Sequence, residues 1–190
     1  MKIFNYIFLF TLLFTSCNSN SKSNKEISES SIFNLTSEWE NQDAEKLQLK
    51  DLQGKTLVVV MIFTTCKSAC PILVAKMRGI EEKISRKDID KVSLVLVSID
   101  PETDTPENLK KFAKKNKMDS PQWIFLRSSE AATQEFANVL SMKYKRISPI
   151  DFSHSNIISV FNDGGDLVSQ EEGNIQIDDV VATVNKTIKK

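Results

Sequence analysis

Apolar residues fall along this chain in two periods, and the points where one gives way to the other outline its elements. Leu47 to Leu52 alternates apolar and charged positions ahead of a turn at Gly54, which predicts a half-buried strand. Leu57-Val58-Val59-Val60-Met61-Ile62-Phe63 is instead one continuous, largely β-branched run, the pattern of a central strand covered on both faces. It ends at Thr64-Thr65-Cys66. From about Ser68 to Ile84 the period changes: Ile72, Leu73, Ala75, Met77, Ile80 and Ile84 recur at helical spacing, and Pro71 is tolerated in the first turn, where a missing N–H is no loss. Cys66 and Cys70 therefore sit where a buried strand becomes a helix.

Val92 to Ile99 is a second buried strand, and the intervening helix makes a right-handed β-α-β crossover the default. Asp104-Thr105-Pro106-Glu107 opens a helix to about Asn116, with Asp104 as its expected cap, proline in the first turn and an early acid. Trp123–Leu126 reads as a short strand, Ser129–Met142 as a helix and Ser155–Phe161 as a strand. Asn162-Asp163-Gly164-Gly165 is a hairpin turn into Asp166–Gln170, and Ile177–Ile188 closes the chain as an amphipathic helix. Parallel units first and an antiparallel hairpin last describe an α/β domain of thioredoxin-like fold, a central mixed sheet flanked by helices.

The amino-terminal segment has another character. Residues 1–16 hold one positive charge at Lys2, an apolar stretch from Ile3 to Phe14, and Thr15-Ser16 before Cys17. This is a signal-peptide pattern, and its apolar stretch is too short to span a bilayer comfortably. Cleavage before a cysteine resembles bacterial lipoprotein processing, which would acylate Cys17, although Phe14 stands where Leu is usual. Residues 17–30 are polar and read as a flexible tether, leaving 31–190 as one domain, enough for one ordinary core and not for two. The protein is thus expected to be exported and membrane-anchored through an N-terminal lipid, facing the periplasm or extracytoplasmic space. Lys and Arg number 25 and Asp and Glu 25, so no charge excess points to nucleic acid as a partner.

The chain has three Cys and one His. With Cys17 in the leader, the candidate chemistry rests on Cys66, Cys70 and His154. At a helix start, unpaired backbone N–H groups and the macrodipole favour anions, so both thiols are expected to ionise more readily than free cysteine. Spacing of i, i+4 puts both sulfurs on one face, close enough to chelate one ion or to form a disulfide. Spacing alone does not choose between a redox dithiol and a metal site. Thioredoxins separate their cysteines by two residues, and here there are three; a peroxiredoxin would need Thr or Ser at Phe63 and Pro at Val59. The metal reading needs a third ligand. His154 lies in a loop at the mouth of the strand from Ser155, which in this topology neighbours the strand ending at Phe63. Two thiolates and an imidazole form a soft set suited to Cu(I), able to hold Cu(II) with a further ligand, and less typical of structural Zn(II).

Four stretches carry a resemblance: Phe63–Cys66 through Cys70-Pro71, Val97–Pro106, Trp123–Leu126, and Phe152–Gly165 around His154. In that order, and across nearly the whole predicted domain, they resemble the SCO/SenC family, thioredoxin-like copper proteins that help assemble the binuclear copper site of respiratory haem-copper oxidases. The resemblance implies Cys66, Cys70 and His154 as copper ligands, Asp100 as a supporting residue beside them, and an apo oxidase subunit as partner. It implies a metallochaperone, not an enzyme in the turnover sense. The alternatives are a thiol-disulfide reductase for the oxidase cysteines, using Cys66 and Cys70 as its redox pair, and an extracytoplasmic copper or redox sensor. The chain departs from the family pattern at Lys67, Ser68 and Ser153, where Pro, Asp and Asp are common.

Overall fold

A computed structural model of the chain describes residues 27–66, 70–148 and 151–189. The expected leader, Cys17 and the tether as far as residue 26 lie outside them. Ser28 and Ser30, at the end of the expected tether, hydrogen-bond to the Asp166 carboxylate. No helix among the described residues is long and apolar enough to cross a membrane.

The strands are β1 (Glu38–Asn41), β2 (Lys46–Gln48), β3 (Thr56–Ile62), β4 (Val92–Ser98), β5 (Trp123–Arg127), β6 (Tyr144–Ser148), β7 (Asp151–His154), β8 (Ile157–Phe161) and β9 (Leu167–Glu172). The helices are α1 (Cys70–Lys83), α2 (Pro106–Lys115), α3 (Glu130–Val139) and α4 (Ile177–Thr187). Seven strands form one mixed sheet in the order β2-β1-β5-β4-β3-β8-β9, and β6 and β7 form a separate two-stranded sheet. β3 runs parallel to β4, with Val60 opposite Leu96, and antiparallel to β8, with Val60 opposite Ile158. With a strand on each side and apolar packing on both faces, all seven residues of β3 and of β4 are buried, which is why neither shows alternation.

The helices cover this sheet through specific contacts. α1 meets α4 at Gly79, where a Cβ would stand 2.8 Å from Ile177 Cδ1, so the bare backbone lets the helices approach. Phe112 of α2 packs edge-on against Phe125 of β5 at 6.2 Å between centroids, and Phe136 of α3 against Trp39 of β1 at 5.6 Å. Trp39, Phe125 and Phe136 are buried, and full burial of such a side chain contributes about 1.5–3 kcal/mol of transfer free energy.

Several elements depart from the expectations. The strand expected over 47–52 stops at Gln48; Leu49–Leu52 form a 3-10 turn that buries Leu49 while the Asp51 carboxylate accepts from the Gln48 N–H at 2.7 Å. Thr105, not Asp104, caps α2, its hydroxyl accepting from Asn108 N at 3.3 Å. α3 ends earlier than expected, and Ser141 just beyond it takes φ +52°. β1 and the β6–β7 hairpin have no counterpart in the hydrophobic pattern.

Candidate metal centre

Parallel β3 and β4 end side by side, and their carboxyl ends build the site. The ladder continues one step past β4, with Ile99 N donating to Ile62 O at 2.9 Å. The chain leaving β3 turns at once: Phe63 is fully buried, and Cys66 N donates to Phe63 O at 3.2 Å. Cys70 then begins α1, and its N–H, one of the first-turn donors with no partner inside the helix, points at Cys66 Sγ at 3.4 Å. Cys70 is buried, Cys66 half-buried, and no disulfide joins them.

His154 reaches the pair from β7, not from a loop. It is the last residue of that strand, opposite Tyr144 in register, and Ser155 N donates to Lys143 O at 2.9 Å. Its Nδ1 lies 3.0 Å from Ser155 O. A carbonyl only accepts, so Nδ1 carries the hydrogen and Nε2 keeps a free lone pair. That Nε2 stands 3.7 Å from Cys70 Sγ. The two sulfurs and the imidazole nitrogen all lie within 4.8 Å of one another. Ligand bonds of roughly 2.0–2.3 Å require separations of about 3.5–4.6 Å around one ion, depending on the angle, so these atoms need only small adjustments to share one.

Aromatic rings wall the cluster. Phe63 meets the His154 ring edge-on at 5.9 Å and Phe152 at 5.1 Å, and Tyr144 flanks Phe152 at 6.3 Å. This apolar surround has an electrostatic consequence that the sequence expectation does not include. Burial pushes the Cys70 thiol well above its ordinary range, with the neighbouring Cys66 and Asp104 adding to the rise and a backbone hydrogen bond at Phe63 opposing it. For Cys70 the helix start is overruled by desolvation. A buried sulfur of this kind ionises readily only with a cation to compensate it.

Two buried acids just past β4 have different partners. Thr103 N and Asp104 N both donate to Asp100 O, a tight turn that folds Asp104 back over the end of β4. The Asp104 carboxylate accepts from Thr64 N at 3.2 Å to each oxygen, from the Thr64 hydroxyl, and from Ser98 Oγ at 2.6 Å. It thereby ties the cysteine loop, two residues before Cys66, to β4. Burial holds the Asp104 carboxyl above the usual carboxylate range, against the pull of the Ser98 and Thr64 hydrogen bonds. Asp100, expected beside the ligands, is 1% exposed, and its carboxylate pairs with Arg146 Nη2 at 3.2 Å. Sequence reasoning assigns Asp104 to a helix cap and passes over Arg146. A cap needs only the residue adjoining the helix, so the Thr105-Pro106 pair was the available signal for setting Asp104 free for another role. Lys67 and Ser68 lie outside the described residues.

The fold and the cluster together define a thioredoxin-like α/β domain with two thiols and an imidazole gathered at the end of its central strand. The SCO1/SenC family profile matches residues 22–189, and the chain belongs to that family. Among curated relatives, the SCO1 protein homolog of Bacillus subtilis is 36% identical over 100 residues, covering 52% of this chain and 51% of the relative. A SCO2-like protein of Rickettsia typhi is 28% identical over 118 residues, 62% of this chain and 56% of the relative. The chain thus spans about half the length of these relatives. Among solved structures, BsSco, described as a member of the Sco family of cytochrome c oxidase assembly proteins with a disulfide switch, matches at TM-score 0.70 and 27% identity over 80% of this chain and 91% of its own. Arabidopsis thaliana ScoI with copper bound matches at TM-score 0.71 and 24% identity, over 80% and 95%, and supports the fold.

Proposed function

We propose that this protein is a copper carrier that binds one ion through Cys66 Sγ, Cys70 Sγ and His154 Nε2 and hands it to an apo subunit of a respiratory haem-copper oxidase. The observation that carries the reading is the convergence of those three atoms within 4.8 Å, with the histidine tautomer set for Nε2 ligation. The copper-bound Arabidopsis relative and the family membership support it. Buried Cys70 forms the floor of the site, while Cys66 and His154 are partly open to solvent. An incoming thiol or imidazole therefore exchanges first with Cys66 or His154, and Cys70 lets go last. Acylation at Cys17 and an extracytoplasmic location belong to the same proposal, since the recipient is a membrane enzyme.

Two reduced cysteines one turn apart also favour a second reading, a thiol-disulfide reductase that keeps the recipient's cysteines reduced. His154 separates the two. Titrating the reduced protein with Cu(I), and with Cu(II) while following the thiolate-to-copper charge-transfer band, is expected to give one equivalent bound, with binding much weaker in His154→Ala. No stoichiometric binding by the wild type, or equal binding by the variant, removes the carrier reading. Oxidase assembly that needs Cys66 but tolerates His154→Ala would transfer the assignment to the reductase.

A further inference from the structure

The β6–β7 hairpin that brings His154 to the cysteines pairs with no strand of the main sheet among the described residues. Besides its two-residue link to β8, it is held against that sheet by side-chain contacts, among them those of Arg146. Arg146 stands opposite Phe152 in the hairpin register and lays its guanidinium 4.5 Å from the centre of the Phe152 ring. Its Nη2 reaches Asp100 Oδ1 at 3.2 Å, where the chain leaves β4. Beneath the guanidinium, Phe152 rests on Phe63, and Phe63 meets the His154 ring. Arg146 thus ties the hairpin to the end of β4 at Asp100, and the tilted Phe152–Phe63 contact continues from it to the imidazole.

The partners are unequal in a way that makes the contact matter. Asp100 is 1% exposed, whereas the Arg146 side chain is 37% exposed, so the carboxylate depends on this cation far more than the cation depends on it. Arg146 also lies 3.8 Å from Glu102, which is 75% exposed and solvent-screened, so that contact adds little. We propose that Arg146 is a positioning residue for His154: it latches the hairpin to Asp100 and so fixes the imidazole over Cys70. The inference rests on the reading of His154 as a copper ligand.

The test is Arg146→Met in the reduced protein, which keeps apolar contact with Phe152 and removes the charge. Copper(I) affinity, measured by competition with a chromophoric chelator, is expected to fall by about 10- to 100-fold, the range for groups that orient a metal-ligating histidine. In a His154→Ala background the same substitution is expected to change affinity less than about two-fold, because the latch acts through the histidine. Hydrogen exchange without metal gives a separate readout: amides of 144–148 and 151–154 lose protection while those of 57–62 keep theirs. Since Arg146→Met leaves Asp100 buried and unpaired, the double variant Arg146→Met/Asp100→Asn keeps the test readable if the single variant folds poorly, and the same losses are expected from it. Wild-type affinity in the variant, an equal loss in the His154→Ala background, or unchanged hairpin protection overturns the latch. Absence of copper binding by the wild type overturns the carrier reading instead, and the exchange measurement still decides the latch.

Discussion

Removing the Asp104 carboxylate separates its role as a tie from the helix-cap role its sequence position suggests. The side chain is fully buried and takes hydrogen bonds from the Thr64 N–H, the Thr64 hydroxyl and the Ser98 hydroxyl. Asp104→Ala strips all three donors of their acceptor, and a buried donor left unmade costs about 1–3 kcal/mol. The two hydroxyls can rotate toward other acceptors, whereas the Thr64 N–H is fixed by the backbone, so a net loss of about 2–4 kcal/mol is expected. For a domain of this size that is a Tm decrease of roughly 4–16 °C. Asp104→Asn keeps one acceptor oxygen for the N–H and offers its NH2 to a hydroxyl that can turn to accept, so at neutral pH it is expected to cost under about 1 kcal/mol. The two forms also differ in pH response. Because burial raises the Asp104 carboxyl in the folded state, the native protein holds that proton more tightly than the unfolded chain. Wild-type stability relative to Asp104→Asn is therefore greatest below the unfolded value near ~3.9, declines as pH rises toward the raised folded value, and is flat above it. Chemical denaturation of the three proteins in a pH series measures both effects. An Ala variant within about 0.5 kcal/mol of wild type would refute the tie, whereas a wild type that gains on the Asn variant as pH rises would show the hydrogen bonds outweighing burial at this carboxyl.

Further outcomes follow from the same structure. Copper binding must displace the proton from the raised Cys70 thiol, so apparent copper affinity is expected to climb about tenfold per pH unit for each proton released, read by chelator competition at pH 6, 7 and 8; a flat profile would mean the thiol is already ionised. Gly165 has φ +82°, and a Cβ there would stand 2.4 Å from Ser31 Oγ and 2.7 Å from Phe33, so Gly165→Ala is expected to lower stability by at least about 1–3 kcal/mol in urea unfolding, with copper affinity unchanged in the folded fraction. Both follow independently of the recipient's identity.

What the sequence discloses and what it withholds divide along physical lines. β3 and β4 are legible because strands covered on both faces leave unbroken β-branched runs. β1 and the β6–β7 hairpin are not, since each buries a single aromatic, Trp39 or Phe152, among described residues that are otherwise half-buried or exposed. Cys66, Cys70 and His154 are legible through scarcity, as few residues in the chain can bind a soft ion. The apparatus that holds them is illegible for the opposite reason: acids and arginines are common, and their duties are set by contacts between distant residues. Asp104 meets Thr64 across 40 positions and Arg146 meets Asp100 across 46, distances that no local pattern reports. It follows that two chains can share the ligand triad and still hold it differently. This one departs from the usual pattern at Lys67, Ser68 and Ser153, and it pairs Asp100 with an arginine from the hairpin that carries the histidine. The Arg146–Asp100 pair and the tilted Phe152–Phe63 contact hold that hairpin against the main sheet, so chains with the same three ligands can differ in how those ligands are oriented.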